Sequence, residues 1–422
     1  MRILLHSTYY APELTAIAKY NAEMAGWLQR RGHEVRVVTT APHFPGWRVH
    51  ENYSAWRYSR ETLDGVPIWR CPCYIPARPT GLRRLVGIVS AALSGLPVLV
   101  RHAFWRPHVV IGVEPPLLGF AAAKLAARLA GARVWLHVQD LEVDAAFDLG
   151  ILHGQRARRA ALALERWLMS GCDRISTISH RMADRLRGKG VAEPTLFMLP
   201  NWFNFEPPAN APGGPGYRAE LGIDAADSVA LYAGNMAAKQ GLETLVETAR
   251  RLAGRKDIWF VLVGDGPSRT RLIELAADLD RVVFLPIQPA NRLQELLTFA
   301  DVHLLPQRAA AADLVMPSKL TGMLASGKPT VAAADEGTEI ANVLAGRGLR
   351  VAPEDPPAMA AALLSLLDDR PLAAQLGAAA RSYALGELDM DEVLMRLERE
   401  LHAIAGPADG LHRHDRTNDC ES

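Results

Sequence analysis

The sequence predicts an α/β protein built from two doubly wound, Rossmann-like domains facing each other across a cleft, and three observations carry that prediction. The chain has 422 residues, whereas a single hydrophobic core stops growing at about 250–300 residues. Short β-branched runs alternate with longer stretches of helical period, which is the pattern of βα units on a parallel sheet. Between residues 200 and 217 the alternation breaks at Pro207-Pro208 and Pro212-Gly213-Gly214-Pro215-Gly216, a composition suited to a linker.

In the first half, Arg2–Ser7, Glu34–Thr39, Val109–Gly112 and Arg133–Val138 read as strands, and Lys19–Arg31, Leu82–Ala103, Gly119–Leu129 and Arg156–Ser170 as helices. After the linker the alternation restarts with strand Val229–Ala233, helix Gly241–Leu252, strand Trp259–Val263 and helix Arg269–Ala277. It continues through strand Val282–Phe284, helix Arg292–Phe299, strand Val302–Leu305, helix Ser318–Ala325 and strand Thr330–Ala333. Helices Pro356–Leu367 and Asp389–Ala403 complete it. The domains expected are 1–205 and 206–385, with a terminal helix at 386–405 packing back toward the first domain. The tail 406–422 is polar and reads as disordered.

Composition excludes several classes. Hydrophobic residues make up 49% and charged residues 22%, an ordinary globular balance. The formal charge of +1 gives no case for nucleic-acid binding. From Met1 to Val110, however, fourteen Lys or Arg stand against six Asp or Glu, so the first quarter favours an anionic surface or ligand. The four cysteines, Cys71, Cys73, Cys172 and Cys420, form no framework, which suits a reducing cytoplasm. Ile3-Leu4-Leu5 is too short for a signal core. One apolar segment, Leu85 to Val100, is flanked by Arg83-Arg84 and Arg101. It is shorter than a span of ~20 residues and reads either as a core helix or as a helix lying at the membrane interface.

The residues suited to chemistry concentrate at strand ends. Gly234-Asn235 follows one strand and Lys239 opens the next helix; a glycine lets backbone approach a ligand, and a lysine at a helix start adds charge to the helix dipole. Gly264-Asp265-Gly266 ends a second strand, and Met316-Pro317-Ser318-Lys319-Leu320 starts a further helix with Ser318 as the expected N-cap. Together they predict a diphosphate site. Gly322 to Lys328 is one residue short of a P-loop and is rejected, because Pro329 holds the Ser/Thr position. No zinc spacing appears, and no metal or other cofactor is expected. In the first domain, His137, Asp140, Glu142 and Asp144 follow a buried strand and point to catalysis or substrate binding. Glu13, in the loop before the first helix, is placed to accept sugar hydroxyls or to cap that helix.

These residues carry a resemblance. Tyr9-Tyr10-Ala11-Pro12-Glu13, Lys19-Tyr20, Gly32-His33-Glu34-Val35, Pro200-Asn201, Gly234-Asn235, Lys239-Gln240-Gly241-Leu242, Val263-Gly264-Asp265-Gly266, Pro317-Ser318-Lys319-Leu320 and Gly327-Lys328-Pro329 resemble a family 4 retaining glycosyltransferase of GT-B fold. Within that family, Glu51 to Tyr58, Trp69-Arg70-Cys71-Pro72 and His137 to Asp144 are similar to enzymes of colanic-acid and other exopolysaccharide synthesis. The resemblance implies a nucleotide-sugar donor on the second domain, held by Gly234, Asn235, Lys239, Gly264, Gly266, Asp313, Pro317, Ser318, Lys319 and Leu320. It implies that Lys239 stabilises the leaving diphosphate, and that Lys319 supplies the second cation where the family often has an arginine at the Asn235 position. The family's E-x7-E pair falls at Leu314 and Gly322, with Asp313 the nearest acid. Its histidine corresponds to His137 or Gln139, of which His137 is taken as catalytic. Glu13, Thr15, Lys19, Asp140 and Glu142 would meet the acceptor or the sugar.

The expected reaction is retaining transfer of a hexosyl or deoxyhexosyl group, with GDP-fucose the first donor to test, onto a lipid-linked oligosaccharide. The expected place is peripheral, on the cytoplasmic face of the inner membrane. The competing readings are a nucleotide-sugar epimerase of similar shape, a pyridine-nucleotide oxidoreductase using Gly264–Gly266, and a noncatalytic assembly partner.

Overall fold

The computed structural model describes residues 1–13, 15–44, 46–78, 80–141, 143–144, 154–204, 216–309 and 317–406. Elements of the first domain are β1 (Arg2–His6), α1 (Ala16–Arg30), β2 (Glu34–Thr40), β3 (Ser59–Leu63), β4 (Val66–Cys71), α2 (Gly81–Ala103), β5 (Val109–Glu114), α3 (Leu117–Ala130), β6 (Arg133–Val138), α4 (Gln155–Met169), β7 (Arg174–Thr177), α5 (His180–Gly188) and β8 (Leu196–Met198). Those of the second are α6 (Tyr217–Glu220), β9 (Ser228–Ala233), α7 (Glu243–Arg251), β10 (Ile258–Val263), α8 (Arg269–Leu275), β11 (Val282–Leu285), α9 (Leu293–Phe299), β12 (Val302–Leu305), α10 (Lys319–Ala325), β13 (Thr330–Ala333), α11 (Glu339–Leu344), β14 (Leu349–Val351) and α12 (Pro356–Asp368). Two helices close the described chain, α13 (Arg370–Glu387) and α14 (Met390–Ala405).

The sheets are ordered β3-β4-β2-β1-β5-β6-β7-β8 and β11-β10-β9-β12-β13-β14. Every pairing is parallel except β3 with β4. Parallel strands need both faces covered, and the burial pattern agrees: β5 is buried at all six positions, as are all four of β12. The β3–β4 hairpin escaped the sequence reading although its signal was present. Asp64 and Gly65 both have positive φ, at 50° and 78°, which is the two-residue turn that an Asp-Gly pair favours.

Helix α1 is capped by Thr15, whose side chain accepts the Ala18 N–H at 3.2 Å. Glu13 is therefore not the cap. Its buried Oε1 accepts the backbone N–H groups of His43 at 2.7 Å and Phe44 at 2.9 Å, fixing the loop after β2. Helix α14 lies on the first domain: Val393, Leu394, Leu397 and Leu401 share a core with Met24, Trp27 and Leu28 of α1. Trp27 Nε1 donates to Asp391 at 2.6 Å, and Arg31 pairs with Glu398 at 2.9 Å.

Helix α2 is two-sided. Its small residues face the protein, where a Cβ on Gly87 would lie 2.8 Å from the Tyr74 carbonyl oxygen and one on Gly95 would lie 3.7 Å from His6. Its opposite face carries Leu82, Leu85, Val86, Val89 and Leu93, all exposed, with Leu82 at 74% and Leu93 at 66%. By length and composition it is the one described helix able to cross a membrane.

Candidate active site

In an open parallel sheet, a crevice opens where loops leave neighbouring strands in opposite directions. In the second sheet that point lies between β9 and β12. Strand β9 ends in Gly234 and its neighbour β10 in Gly264, at φ 155° and 147°. A Cβ on Gly264 would overlap the Gly234 carbonyl oxygen, and one on Gly266 would come within 2.8 Å of Asn235 and Met236. Glycine is required because the two loops are zipped together, Met236 N–H to Asp265 O at 2.8 Å and Ser268 N–H to Met236 O at 2.9 Å.

Over this crevice stands Lys319, the first residue of α10. Its Nζ donates to Gln240 Oε1 at 2.6 Å and to the Tyr232 hydroxyl at 3.1 Å, and lies 4.5 Å from the Tyr232 ring centroid. A Cβ on Gly234 would sit 3.2 Å from the Lys319 stem, so this glycine is also what lets the lysine pass. Burial, with the nearby Lys239 charge adding to it, pulls the Lys319 ammonium down to about 7. Lys239 itself is exposed on the single 3-10 turn Ala238–Gln240. That turn is braced by Arg308, whose Nε donates to the Ala238 carbonyl at 2.8 Å and whose backbone N–H donates to the Lys239 carbonyl at 3.3 Å. Two ammonium groups thus share one glycine-lined crevice, an arrangement suited to a group carrying two negative charges.

Ser318 does not act as expected. It lies in helical conformation and its side chain makes no capping bond; its carbonyl instead accepts the Thr321 hydroxyl at 2.7 Å. Pro317 and Leu320 are bonded backbone to backbone at 2.9 Å, with Leu320 buried. Asp313 lies outside the described residues. At Gly322 the physical reason for a missing glutamate is visible, since a Cβ there would already stand 3.0 Å from Leu297 and 3.3 Å from Phe203.

Across the cleft, β6 leads into Gln139 and Asp140. His137 is 2% exposed and both ring nitrogens are engaged, Nδ1 with Ser176 Oγ at 2.8 Å and Nε2 with the Gln139 amide nitrogen at 2.9 Å. An amide nitrogen only donates, so Nε2 accepts and the proton sits on Nδ1. Burial holds the ring neutral, its pKa lowered to about 4. His137 therefore braces Gln139 from within the sheet. Asp140 is the group that meets the other domain: burial raises its carboxyl to about 6, against the opposing pull of the Leu141 N–H and the Lys239 charge. Its Oδ1 is buried without a hydrogen-bond partner among the described residues.

The remaining first-domain residues are engaged elsewhere. Asp144 pairs with Lys189 at 2.6 Å, which also holds Glu165; Lys19 lies 3.8 Å from Glu23; Thr15 caps α1. Glu142 is outside the described residues. Tyr232, Gln240 and Arg308 were missed from sequence. A tyrosine inside a strand reads as core, and its role shows only once Lys319, 87 positions later, is set against it. Away from the cleft, His33, Glu398 and His402 bring ligand atoms within 4.8 Å of one another, a trio that no local spacing could reveal; Glu398 is already held by Arg31 and by His33 at 2.8 Å.

Residues 15–202 match the glycosyl transferase 4-like domain and residues 215–383 the glycosyl transferases group 1 family. The chain is 39% identical to a protein of Escherichia coli (strain K12) named as the colanic acid biosynthesis glycosyl transferase WcaI, over 95% of this chain and all of that one. Among solved structures, sucrose-phosphate synthase of Thermosynechococcus elongatus superposes with a TM-score of 0.72 at 19% identity, covering 96% of this chain and 99% of that one. WaaG, a glycosyltransferase involved in lipopolysaccharide biosynthesis, gives 0.64 at 17%, covering 96% and 100%. At these identities the structural likenesses speak for the fold alone. Two matched families spanning both sheets, with a relative aligned along nearly its whole length, show that this chain belongs to the family 4 type of glycosyltransferases with the GT-B fold.

Proposed function

We propose that this glycosyltransferase moves a hexosyl or deoxyhexosyl group, with retention, from a nucleotide-diphosphate sugar onto a lipid-linked oligosaccharide in exopolysaccharide synthesis. The observation that carries the reading is the pair Lys239 and Lys319 at the β9–β12 crevice, faced across the cleft by Asp140. As the bond between sugar and diphosphate breaks, negative charge grows on the leaving oxygen, and preorganised cations lower the barrier. In this reading Lys319 and Lys239 supply that charge without a metal. Asp140, with one oxygen unpartnered among the described residues, orients a sugar hydroxyl. The name of the Escherichia coli relative supports colanic-acid-type synthesis, and with it fucose as the first sugar to try. Incubation with GDP-, UDP- and dTDP-sugars, scoring nucleotide release with and without lipid acceptor and with a chelator, tests the whole reading. Release that requires acceptor and survives chelation supports it; acceptor-free epimerisation, or no release from any donor, sinks it.

We further propose that the protein works at the cytoplasmic face of the membrane, with α2 lying in the interface. Its exposed leucine stripe is flanked by the exposed Arg83 and Arg84, suited to anionic head groups. Replacing Leu85 and Leu93 by Glu should abolish cosedimentation with anionic vesicles while leaving the melting temperature unchanged, because neither side chain is buried. Wild-type protein that never pellets with such vesicles at low salt would refute this placement.

A further inference from the structure

At the far end of α2 lies a second basic site that the donor chemistry does not use. A recess of about 500 Å³ is lined by Arg36 of β2, Arg60 of β3, Trp69 of β4, and Arg101, His102, Phe104 and Trp105 at the end of α2. It lies between the middle of β2 and β4, Arg60 of the edge strand β3, and the last turn of α2. The donor crevice lies at the carboxyl ends of the strands of the other domain.

Two of the three guanidinium groups are held against indole rings, and none is neutralised by an ion pair among the described residues. Arg36 stacks 4.1 Å from the Trp105 ring centroid and 5.6 Å from that of Trp69, and Arg60 lies 4.7 Å from Trp69. His102 keeps Trp69 in place edge-on at 4.4 Å and is itself tied to the Val98 carbonyl at 2.7 Å. Among the described residues no carboxylate forms an ion pair with any of the three arginines. Partial burial is the main cause that lowers the Arg36 pKa; Glu34 attracts its charge, and Arg60 and Arg2 repel it. A guanidinium stacked face-on against an indole still has its in-plane N–H donors free, the geometry that grips phosphate oxygens in pairs. Like charges line one aromatic recess with no acid in its wall, a setting that favours an anion there.

We propose that this recess is a binding site for a phosphate-bearing group, with Arg36, Arg60 and Arg101 taking the phosphate and Trp69, Trp105 and Phe104 covering the carbon skeleton attached to it. A volume of about 500 Å³ exceeds what inorganic phosphate fills, so the phosphate comes with a substituent. Two sources share that chemistry, a phospholipid head group reached when α2 lies on a bilayer and a soluble phosphate ester. The site stands independently of the donor reading and of lipid contact by α2.

The test has two arms. In one, glycerol 3-phosphate is titrated against tryptophan fluorescence. In the other, the protein is floated with vesicles of phosphatidylglycerol and of phosphatidylcholine. Both compare wild type, Arg36→Gln/Arg60→Gln, and Arg271→Gln, an exposed arginine on α8 of the second domain. The expected result is saturable binding in at least one arm that falls tenfold or more in the first variant and less than threefold in the second. Binding of glycerol 3-phosphate identifies a soluble ester; preference for phosphatidylglycerol alone identifies a head group. Melting temperature and nucleotide affinity, unchanged in the first variant, show that it folds. The proposal is overturned if wild type binds neither probe, or if Arg36→Gln/Arg60→Gln binds as wild type does in both arms.

Discussion

Lys319 is the residue on which the donor site turns, because it is the cation that burial makes conditional. Its pKa of about 7 means that near neutrality the free enzyme holds it in both forms. A bound diphosphate favours the charged form, so its pKa rises in the complex. The sign of the linkage follows. Below pH 7 the ammonium is already charged and affinity is flat; above it, binding must take up a proton, and affinity falls about tenfold per unit until the raised pKa is reached. Titrating UDP and GDP from pH 6 to 9 checks this, and Lys319→Arg, charged throughout, should flatten the profile. A flat wild-type profile would show that Lys319 does not touch the diphosphate. Lys239 behaves differently, being exposed and without a side-chain partner among the described residues. Lys239→Ala should lower kcat by about 100- to 1000-fold, the scale for losing one stabilising group, with no change in melting temperature. Normal turnover would remove Lys239 from the mechanism. Lys239 was legible in the sequence because it follows a glycine-ended strand, and Lys319 because it opens a helix behind Pro317 and Ser318. Asp140 was legible because it lies just past a buried parallel strand, but His137 was not readable as a brace. Its partner Ser176 is identified only by the register that sets β6 beside β7, and Gln139, two residues on, engages the other ring nitrogen.

At the level of elements, what the sequence announces well is what burial on both faces enforces. The long hydrophobic strands β5, β10 and β12 and the proline-initiated α12 leave no ambiguity. What it announces poorly are elements whose signal is short or one-sided: β3 at the sheet edge with four of five residues exposed or nearly so, the three-residue β8 and β14, and α2, whose sixteen uncharged residues fit a core helix as well as an interfacial one. Only packing decides α2, by placing Gly87 and Gly95 inward and the leucines outward. The two glycine loops yield a prediction of their own. Gly264 has a positive φ and its missing Cβ would occupy the Gly234 carbonyl, so Gly264→Ala combines backbone strain with a clash between loops that are hydrogen-bonded together. The expected loss is about 2 kcal/mol or more in unfolding free energy, read by denaturant titration. Gly131→Ala, also at positive φ but with open space around it, carries only the strain and should lose less. Equal losses would show that the loops are not in the contact described.

For the whole molecule, the decisive variable is how the two sheets are held so that Asp140 faces Lys239. Three of the contacts among the described residues bear on this, besides the linker. The α13–α14 crossover returns the chain to α1 through Trp27–Asp391 and Arg31–Glu398. The hydroxyls of Tyr20 and Thr321 meet. The third contact is Glu339, at the start of α11 in the second domain. Its carboxylate accepts the backbone N–H groups of His180 at 3.2 Å and Arg181 at 3.1 Å, at the N-terminus of α5 in the first. A carboxylate on the free N–H groups of a helix start is stabilised by hydrogen bonds and by the helix dipole together. Glu339 is buried, so removing it takes away the partner of two helix-start donors and releases the domains on that side. The Glu339 contact was not visible in sequence, because a glutamate after Thr338 reads as an ordinary first-turn acid. Glu339→Ala should leave nucleotide affinity within about twofold, since Lys239 and Lys319 both belong to the second domain. Turnover should fall at least about tenfold, because misplacing reacting groups by an ångström can lower rates a hundredfold. Small-angle scattering of the free protein should show a larger radius of gyration, and donor with acceptor should restore part of the compaction. If scattering and kcat both match wild type, Glu339 is a helix cap and nothing more, and the cleft is set by the α14 crossover alone.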